Sequence, residues 1–387
     1  MTTLRRPLRS GARTAVGAAA ALSLLLPSTP LAAEGGRFRP LDPSAAPTFP
    51  RDHGAHADAR VEWWYVTGHL SDAAGRRSGF QLTFFRTGLV DEPRDARTSA
   101  FAPRDLHLAH FARTDVDGGK FRYAERAHRD GPGGASARET HLDVTNEDWR
   151  LTELGGTLYL RASDRVDGVE ETLTLHLTPE KPPVLHGDNG LSRKAPEADA
   201  VSRYVSFTRL TATGWATRGD EARAVNGSAW MDHEWGSGAI GKGTRGWDWF
   251  SLQLGDGRDL MLYLLRGEDG VRTLHSSGTL VDRTGRATAL SPSDFSVEVT
   301  ARWTSPRSKG SYPARWILRV PKAGLALDVV PLLADQELVT DRSTRVTYWE
   351  GACDVRDVSA AARPGPSVGR AYVELTGYAG KGALGLF

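Results

Sequence analysis

The sequence predicts an all-β protein, two antiparallel β-barrel domains after an N-terminal signal peptide. Three observations lead there. Past the first 33 residues helical periodicity is hard to find. Short alternating segments recur instead, among them "VEWWYVTGHL", "SGFQLTFFRTG", "ETLTLHLTP", "RDLMLYLLRG" and "RAYVELTGY", and alternation of this kind is the pattern of half-buried strands. Turn residues punctuate the segments, as at Gly255-Asp256-Gly257 and Thr284-Gly285. Finally, "EWWYVTGHLSDAAGRRSGFQLTFFR" (Glu62–Arg86) is echoed by "DWFSLQLGDGRDLMLYLLR" (Asp248–Arg266). Each copy has an acid, aromatics, an alternating strand, a turn with Gly-Arg, an aromatic-bearing strand and a closing arginine. A repeat of this sort makes each copy the opening of one half. The segments suffice for roughly sixteen strands, or two barrels of about eight.

Taken in order, the chain begins with four arginines (Arg5, Arg6, Arg9, Arg13), an apolar run from Ala15 to Leu26, and small residues at Ala32 and Ala33. This is the layout of a secretory signal peptide. The run is shorter than the ~20 residues that span a bilayer. Cleavage near Ala33 predicts an exported protein, periplasmic or extracellular, with no stable membrane span when mature. Residues 34–59 read as an extended lead-in, 60–238 as a first barrel domain and 239–387 as a second. The boundary lies in "GSGAIGKGTRG" (Gly236–Gly246), the most flexible-looking stretch of the mature chain.

Composition narrows the function. Loss of the four signal arginines, with no acid, takes the formal charge from +2 to −2. A near-neutral chain without a basic run argues against a nucleic-acid partner. Cys353 is the only cysteine, so no internal disulfide can form and stability rests on the core. No phosphate loop, dinucleotide fingerprint or nucleophile elbow occurs, and no cofactor is expected. No histidine pair has helical metal-ligand spacing. His107 and His110 fall on opposite faces of a strand, and His53 and His56 lie in the lead-in. No metal is expected.

The densest chemistry is "SAWMDHEWGSG" (Ser228–Gly238). In a strand, residues two apart share a face. Met231, His233 and Trp235 therefore look one way, and Trp230, Asp232 and Glu234 the other. One reading makes His233 and Trp235 the face turned to a ligand, with one of the two carboxylates paired and structural. The other makes the whole segment a staple at the junction between the halves.

Together "VEWWYVTGHL", "GSAWMDHEWGSG", "GWDWFSLQLGDGRDLMLYLLRGEDG", "YWEGACDV" and "AYVELTGY", spread from Val61 to Tyr378, resemble the AttH-like lipocalin family, which includes the carotenoid 1,2-hydratases. The resemblance implies two lipocalin-like barrels and a hydrophobic small-molecule partner: a carotenoid, a lipid or a polyketide-like chain. The hydratases add water across an unactivated C=C, which needs a desolvated acid, a π-rich wall and a placed water. Their site is attributed to a histidine, a tryptophan, a tyrosine and an aspartate. His233, Trp235 and Tyr263 match the first three; the aspartate expected two residues past the tyrosine is Leu265. Asp232, Glu234 or Asp248 would have to substitute for it. Trp64, Trp247, Asp248 and Trp249 are the expected ligand-binding residues. Three classes stay open: a hydratase-like or isomerising enzyme, a non-catalytic carrier of a hydrophobic molecule, and a structural envelope protein.

Overall fold

A computed structural model describes residues 36–91, 103–131, 133–359 and 365–380. The predicted signal segment lies outside the described residues. The alternating segments become strands throughout. The first sheet is built from β1 (Val61–Asp72), β2 (Arg77–Gly88), β3 (Asp105–Asp115), β4 (Lys120–Arg129), β5 (Ala135–Ala137), β6 (Asp143–Asn146), β7 (Trp149–Leu154), β8 (Thr157–Val166), β9 (Val169–Pro179), β10 (Val184–Leu185), β11 (Leu191–Arg193), β12 (Val201–Arg218) and β13 (Glu221–Gly236). Their spatial order is β4-β3-β2-β1-β13-β12-β9-β8-β7-β6-β5, with β10 and β11 paired to β12.

The second sheet comprises β14 (Thr244–Leu254), β15 (Asp259–Gly267), β16 (Ser277–Val281), β17 (Ala287–Leu290), β18 (Ser296–Thr304), β19 (Ser311–Val320), β20 (Leu325–Pro331), β21 (Glu337–Val339), β22 (Thr347–Asp357) and β23 (Ser367–Leu375). Their order is β17-β16-β15-β14-β23-β22-β20-β19-β18, with β21 on β22. The fold is therefore all-β, two curled antiparallel sheets forming a barrel and a half-barrel. More strands occur than the sixteen expected, because pieces as short as Val184–Leu185 are too brief to show alternation.

The repeated hairpins open the two sheets and carry the same lock. Glu62 stands opposite Arg86 on β1–β2, with Arg86 Nε 3.2 Å from the carboxylate. On β14–β15, Arg266 Nε is 2.9 Å from Asp248. The ligand role expected of Asp248 is not what its position supports. It lies on the face of β14 opposite Trp247 and Trp249, held by Arg266 and by the Tyr378 hydroxyl at 3.0 Å.

Each sheet wraps its own apolar core. Trp64, Val66, Phe80, Leu82, Phe111, Trp149 and Met231 pack inside the first; Phe250, Leu262, Trp316, Trp349 and Val373 inside the second. Arg126 closes the seam of the first barrel. It bonds the carbonyls of Asn146 and Ser163 and lies 4.3 Å over the Trp149 ring.

The lead-in is not a loose extension. Its described part, from Gly36 onward, caps the first barrel. Arg37 pairs with Asp105 at 2.7 Å, while His53 and His56 are buried. Across the junction, buried Asp259 of the second sheet accepts from Lys181 (2.6 Å), Arg209 (2.6 Å) and Thr208 (2.9 Å) of the first region. Asp259 is thus a staple between the sheets, the role that the sequence offers for the 228–238 segment.

Candidate functional site

Strand parity separates the residues of β13 as expected, but it is the acids that face the cavity. Met231 belongs to the first core, so His233 and Trp235 turn inward with it. Trp230, Asp232 and Glu234 turn outward, toward the second sheet. A cavity lies there, between the sheets rather than inside either barrel.

Its walls follow from register. On the first sheet one row across the strands runs Phe85–Trp63–Glu234–Tyr204, and the next runs Thr83–Tyr65–Asp232–Ser206. Facing them on the second sheet is the row Tyr263–Trp249–Glu374–Glu350. Trp247, Tyr348 and Lys194 complete the lining used below.

Among the described residues, four carboxyl groups thus share a mostly aromatic space with one lining cation, Lys194. Glu234 is the paired one: Lys194 Nζ is 2.8 Å away and the Ser202 hydroxyl donates to it. Lys194 also sits 4.3 Å over the Tyr263 ring. Asp232 is in no ion pair among the described residues. It accepts from Trp230 Nε1 (2.6 Å), the Tyr204 hydroxyl (2.8 Å) and Ser206. Trp249 Nε1 in turn donates to the Tyr204 oxygen at 2.8 Å. Burial outweighs these bonds and, with the Glu234 charge, pushes Asp232 up to about 7.

Glu374 accepts from Trp247 Nε1 at 3.1 Å, and burial beside Asp232 and Glu234 raises it to about 7 as well. Glu350 is the extreme case. It is 1% exposed, and neither oxygen makes a well-formed hydrogen bond among the described residues. Burial, then the Glu374 charge, drives its carboxyl well above the usual range; the nearby Tyr65 hydroxyl offsets only part of this. Burial of this kind favours the protonated form of a carboxyl.

Of the residues singled out in the sequence, Asp232, Glu234, Tyr263, Trp247 and Trp249 line this cavity. His233, Trp235, Trp64 and Asp248 do not. Trp64 lies in the first core and donates Nε1–H to the His53 carbonyl at 3.1 Å. Trp235 stacks on His56 with ring centres 3.9 Å apart. His233 stacks on Trp64 and places Nε2 2.9 Å from Glu62. The turn of His233 and Trp235 away from the cavity has a simple cause. Their strand face is continuous with Met231 and closes the inside of the first barrel under the lead-in.

His56, Glu62 and His233 form a second cluster, whose ligand atoms lie within 4.8 Å of one another and could hold a metal ion. Glu62 is saturated without one, whereas the buried His233 Nδ1 has no partner among the described residues. Glu62 takes His56 Nδ1 (2.8 Å), His233 Nε2 (2.9 Å) and Arg86 Nε (3.2 Å). Burial opposes the charge of Glu62, but these hydrogen bonds and the positive charges of His56 and Arg86 hold it well below the usual range. Spacing rules could not find this cluster, because its members come from the lead-in, β1 and β13.

The sequence reading also missed Glu350 and Glu374. Both sit in segments quoted for the family resemblance, "YWEGACDV" and "AYVELTGY". An acid at an otherwise apolar strand position was the available signal. Leu265 is buried in the cluster of Tyr263, Trp249 and Tyr65 and supplies no acid.

The comparisons with known proteins agree with this architecture. A family model described as AttH-like matches residues 40–378. The crystal structure of an AttH protein from Nitrosomonas europaea is similar at 36% identity and TM-score 0.78, covering 89% of this chain and 100% of that one. Kievitone hydratase from Nectria haematococca shares the fold at 15% identity and TM-score 0.62, over 88% of this chain and 97% of its own. No curated protein matches the sequence. The family match spans both sheets and all four cavity carboxyls, and the chain belongs to the AttH-like family.

Proposed function

We propose that the protein binds an apolar, unsaturated small molecule between its sheets and protonates a C=C bond of that molecule, giving hydration or isomerisation. The observation that carries this reading is Glu350, a carboxyl buried among aromatic rings without a well-formed hydrogen bond among the described residues, which burial drives well above the usual range. Such a group is a general acid in a dry site. Its proton and the alkene π pair form a new C–H bond, leaving a carbocation on the neighbouring carbon. The ring faces of Trp247, Trp249 and Tyr263 offer that cation electron density. In hydration, water adds to the cation and its surplus proton returns to a cavity carboxylate. Asp232 and Glu374, each near 7, suit that task. In isomerisation the cation loses a neighbouring proton to the same groups. Glu350 and Glu374 stand in for the acid that the family resemblance would place at Leu265. The same reading has the mature protein begin near Glu34 and act outside the cytoplasm, on the strength of its arginine-led apolar N-terminus.

Leu265 itself favours a second reading, carriage of a hydrophobic molecule without turnover. One experiment separates them. The protein is titrated with a linear carotenoid bearing an unactivated terminal C=C, binding is followed by tryptophan fluorescence, and extracts are analysed by mass spectrometry. Saturable quenching with a hydrated or isomerised product is expected, and Glu350→Gln should keep the quenching and lose the product. Quenching without product in the wild type leaves carriage. Neither quenching nor product refutes both readings.

A further inference from the structure

The row of side chains that brings Asp232 and Tyr65 to the cavity continues past Thr83 to His110 on β3 and Glu125 on β4. Where it leaves the cavity it meets two hydroxyls from the second half of the chain. His110 Nδ1 lies 2.7 Å from the Tyr348 hydroxyl, and His110 Nε2 lies 2.8 Å from Ser343 Oγ. Ser343 Oγ donates to Glu125 Oε2.

Proton bookkeeping orients every link. Ser343 spends its one proton on the Glu125 carboxylate, so His110 Nε2–H must donate to the Ser343 oxygen. His110 is fully buried, and desolvation drives it down to about 3, so it is neutral. A neutral ring with its proton on Nε2 has Nδ1 free to accept, and the Tyr348 O–H supplies that bond. All three hydrogen bonds then point the same way, from the cavity wall to Glu125. The acid sits on the serine side and not behind the histidine. This is therefore no nucleophile triad, in which the acid would orient the imidazole and the serine would donate to it.

The two ends are equally telling. Tyr348 lines the cavity and shares a strand face with Glu350, two residues on, about 7 Å along β22. Both side chains line the same cavity, so the proton exchange between them runs through the cavity itself. Glu125 opens on a surface depression beside Arg126, His128, Glu147 and Arg342. A neutral, buried, directional file of hydroxyls and one imidazole is what a proton needs to cross a protein interior without leaving a charge there.

We propose that Tyr348, His110, Ser343 and Glu125 form a proton relay between the cavity acid Glu350 and the solvent at the surface of β4. In one passage Tyr348 takes a proton from the cavity side and gives its own to His110 Nδ1. His110 passes the Nε2 proton to Ser343, Ser343 passes its own to Glu125, and Glu125 releases it to water. The two hydroxyls and the imidazole then turn to re-form the starting hydrogen bonds, so that one proton enters at the cavity, one leaves at Glu125, and no charge is stored. His110, Ser343 and Glu125 lie behind the cavity wall and act through Tyr348, the one relay residue that lines it. The inference rests on the reading of Glu350 as a buried acid.

The test is infrared spectroscopy of the whole mature protein during transfer from H2O to D2O, which needs no substrate. The protonated carboxyl stretch of Glu350 is identified as the band lost in Glu350→Gln, and the rate of its deuterium shift is recorded. In Ser343→Ala the shift should slow by about tenfold or more, the effect of about 1.4 kcal/mol of added barrier. Ser343→Thr, which keeps a hydroxyl, should restore the rate. Equal rates in wild type and Ser343→Ala overturn the relay and leave the buried acid standing. Slowing that threonine fails to restore marks a repacked interface and also overturns it. A spectrum in which Glu350→Gln removes no such band overturns both the relay and the acid.

Discussion

Asp232→Asn offers a quantitative test of the cavity electrostatics. Asp232 is 4% exposed, is in no ion pair among the described residues, and accepts from Trp230, Tyr204 and Ser206. Its carboxyl is raised from 3.8 to about 7, so ionising it in place costs about 4 kcal/mol more than in the unfolded chain. The sign follows from proton counting. Between those two pKa values the native state binds the proton and the unfolded state does not, so stability falls as pH rises from about 4 to somewhat above 7 and is level beyond. Between about pH 5 and about pH 8 this one group removes about 2.5 kcal/mol. Asparagine does not titrate, but it has one acceptor oxygen where aspartate has two. It leaves at least one buried donor unmet, at about 1–3 kcal/mol. The variant should therefore be the less stable protein near pH 5 and match or exceed the wild type near pH 8. Urea denaturation at the two pH values measures the difference. A stability gap that does not change with pH would refute burial as the force acting on Asp232, and with it the case for a dry cavity.

Removal of either buried anion hub should be far more damaging. Glu62→Gln takes the fully buried carboxylate from Arg86, His56 and His233, leaving Arg86 with Asp105 and His56 with Asp52 alone, and Asp259→Asn leaves buried Lys181 without its own. Each is expected to cost about 3–5 kcal/mol in denaturant midpoint experiments, and a loss under 1 kcal/mol would mean that water reaches these sites. Quenching by a bound polyene should weaken in Trp249→Phe, whose ring lines the cavity, and persist in Trp64→Phe, whose ring is in the first core; the reverse result would put the ligand inside the barrel. N-terminal sequencing of the exported protein should begin near Glu34, and an intact Met1 on a membrane-bound form would contradict cleavage.

Much of the fold is legible along the chain because β-structure writes itself locally. Alternation, glycine turns and the repeated hairpin need no knowledge of distant residues. The acid and arginine that bracket each repeat, which the sequence marks only as shared features, pair in the structure as Glu62–Arg86 and Asp248–Arg266. Parity likewise sorted β13 into two sets, His233 with Trp235 and Asp232 with Glu234. It could not say which set meets the other sheet, because alternation has two equivalent phases until a core claims one of them. Met231 joined Trp64 and Val66 in the first core, and that packing sent Asp232 and Glu234 to the cavity and His233 inward to Glu62. The site itself was beyond local reading for the same reason. Glu350 and Glu374 stand side by side only because β22 pairs with β23, and they meet Asp232 only because the two sheets pack face to face. The sequence by itself determined the strands and which residues share a face. The tertiary structure decided which faces are dry, and burial, not residue identity, is what turns a surface carboxylate into an acid that keeps its proton.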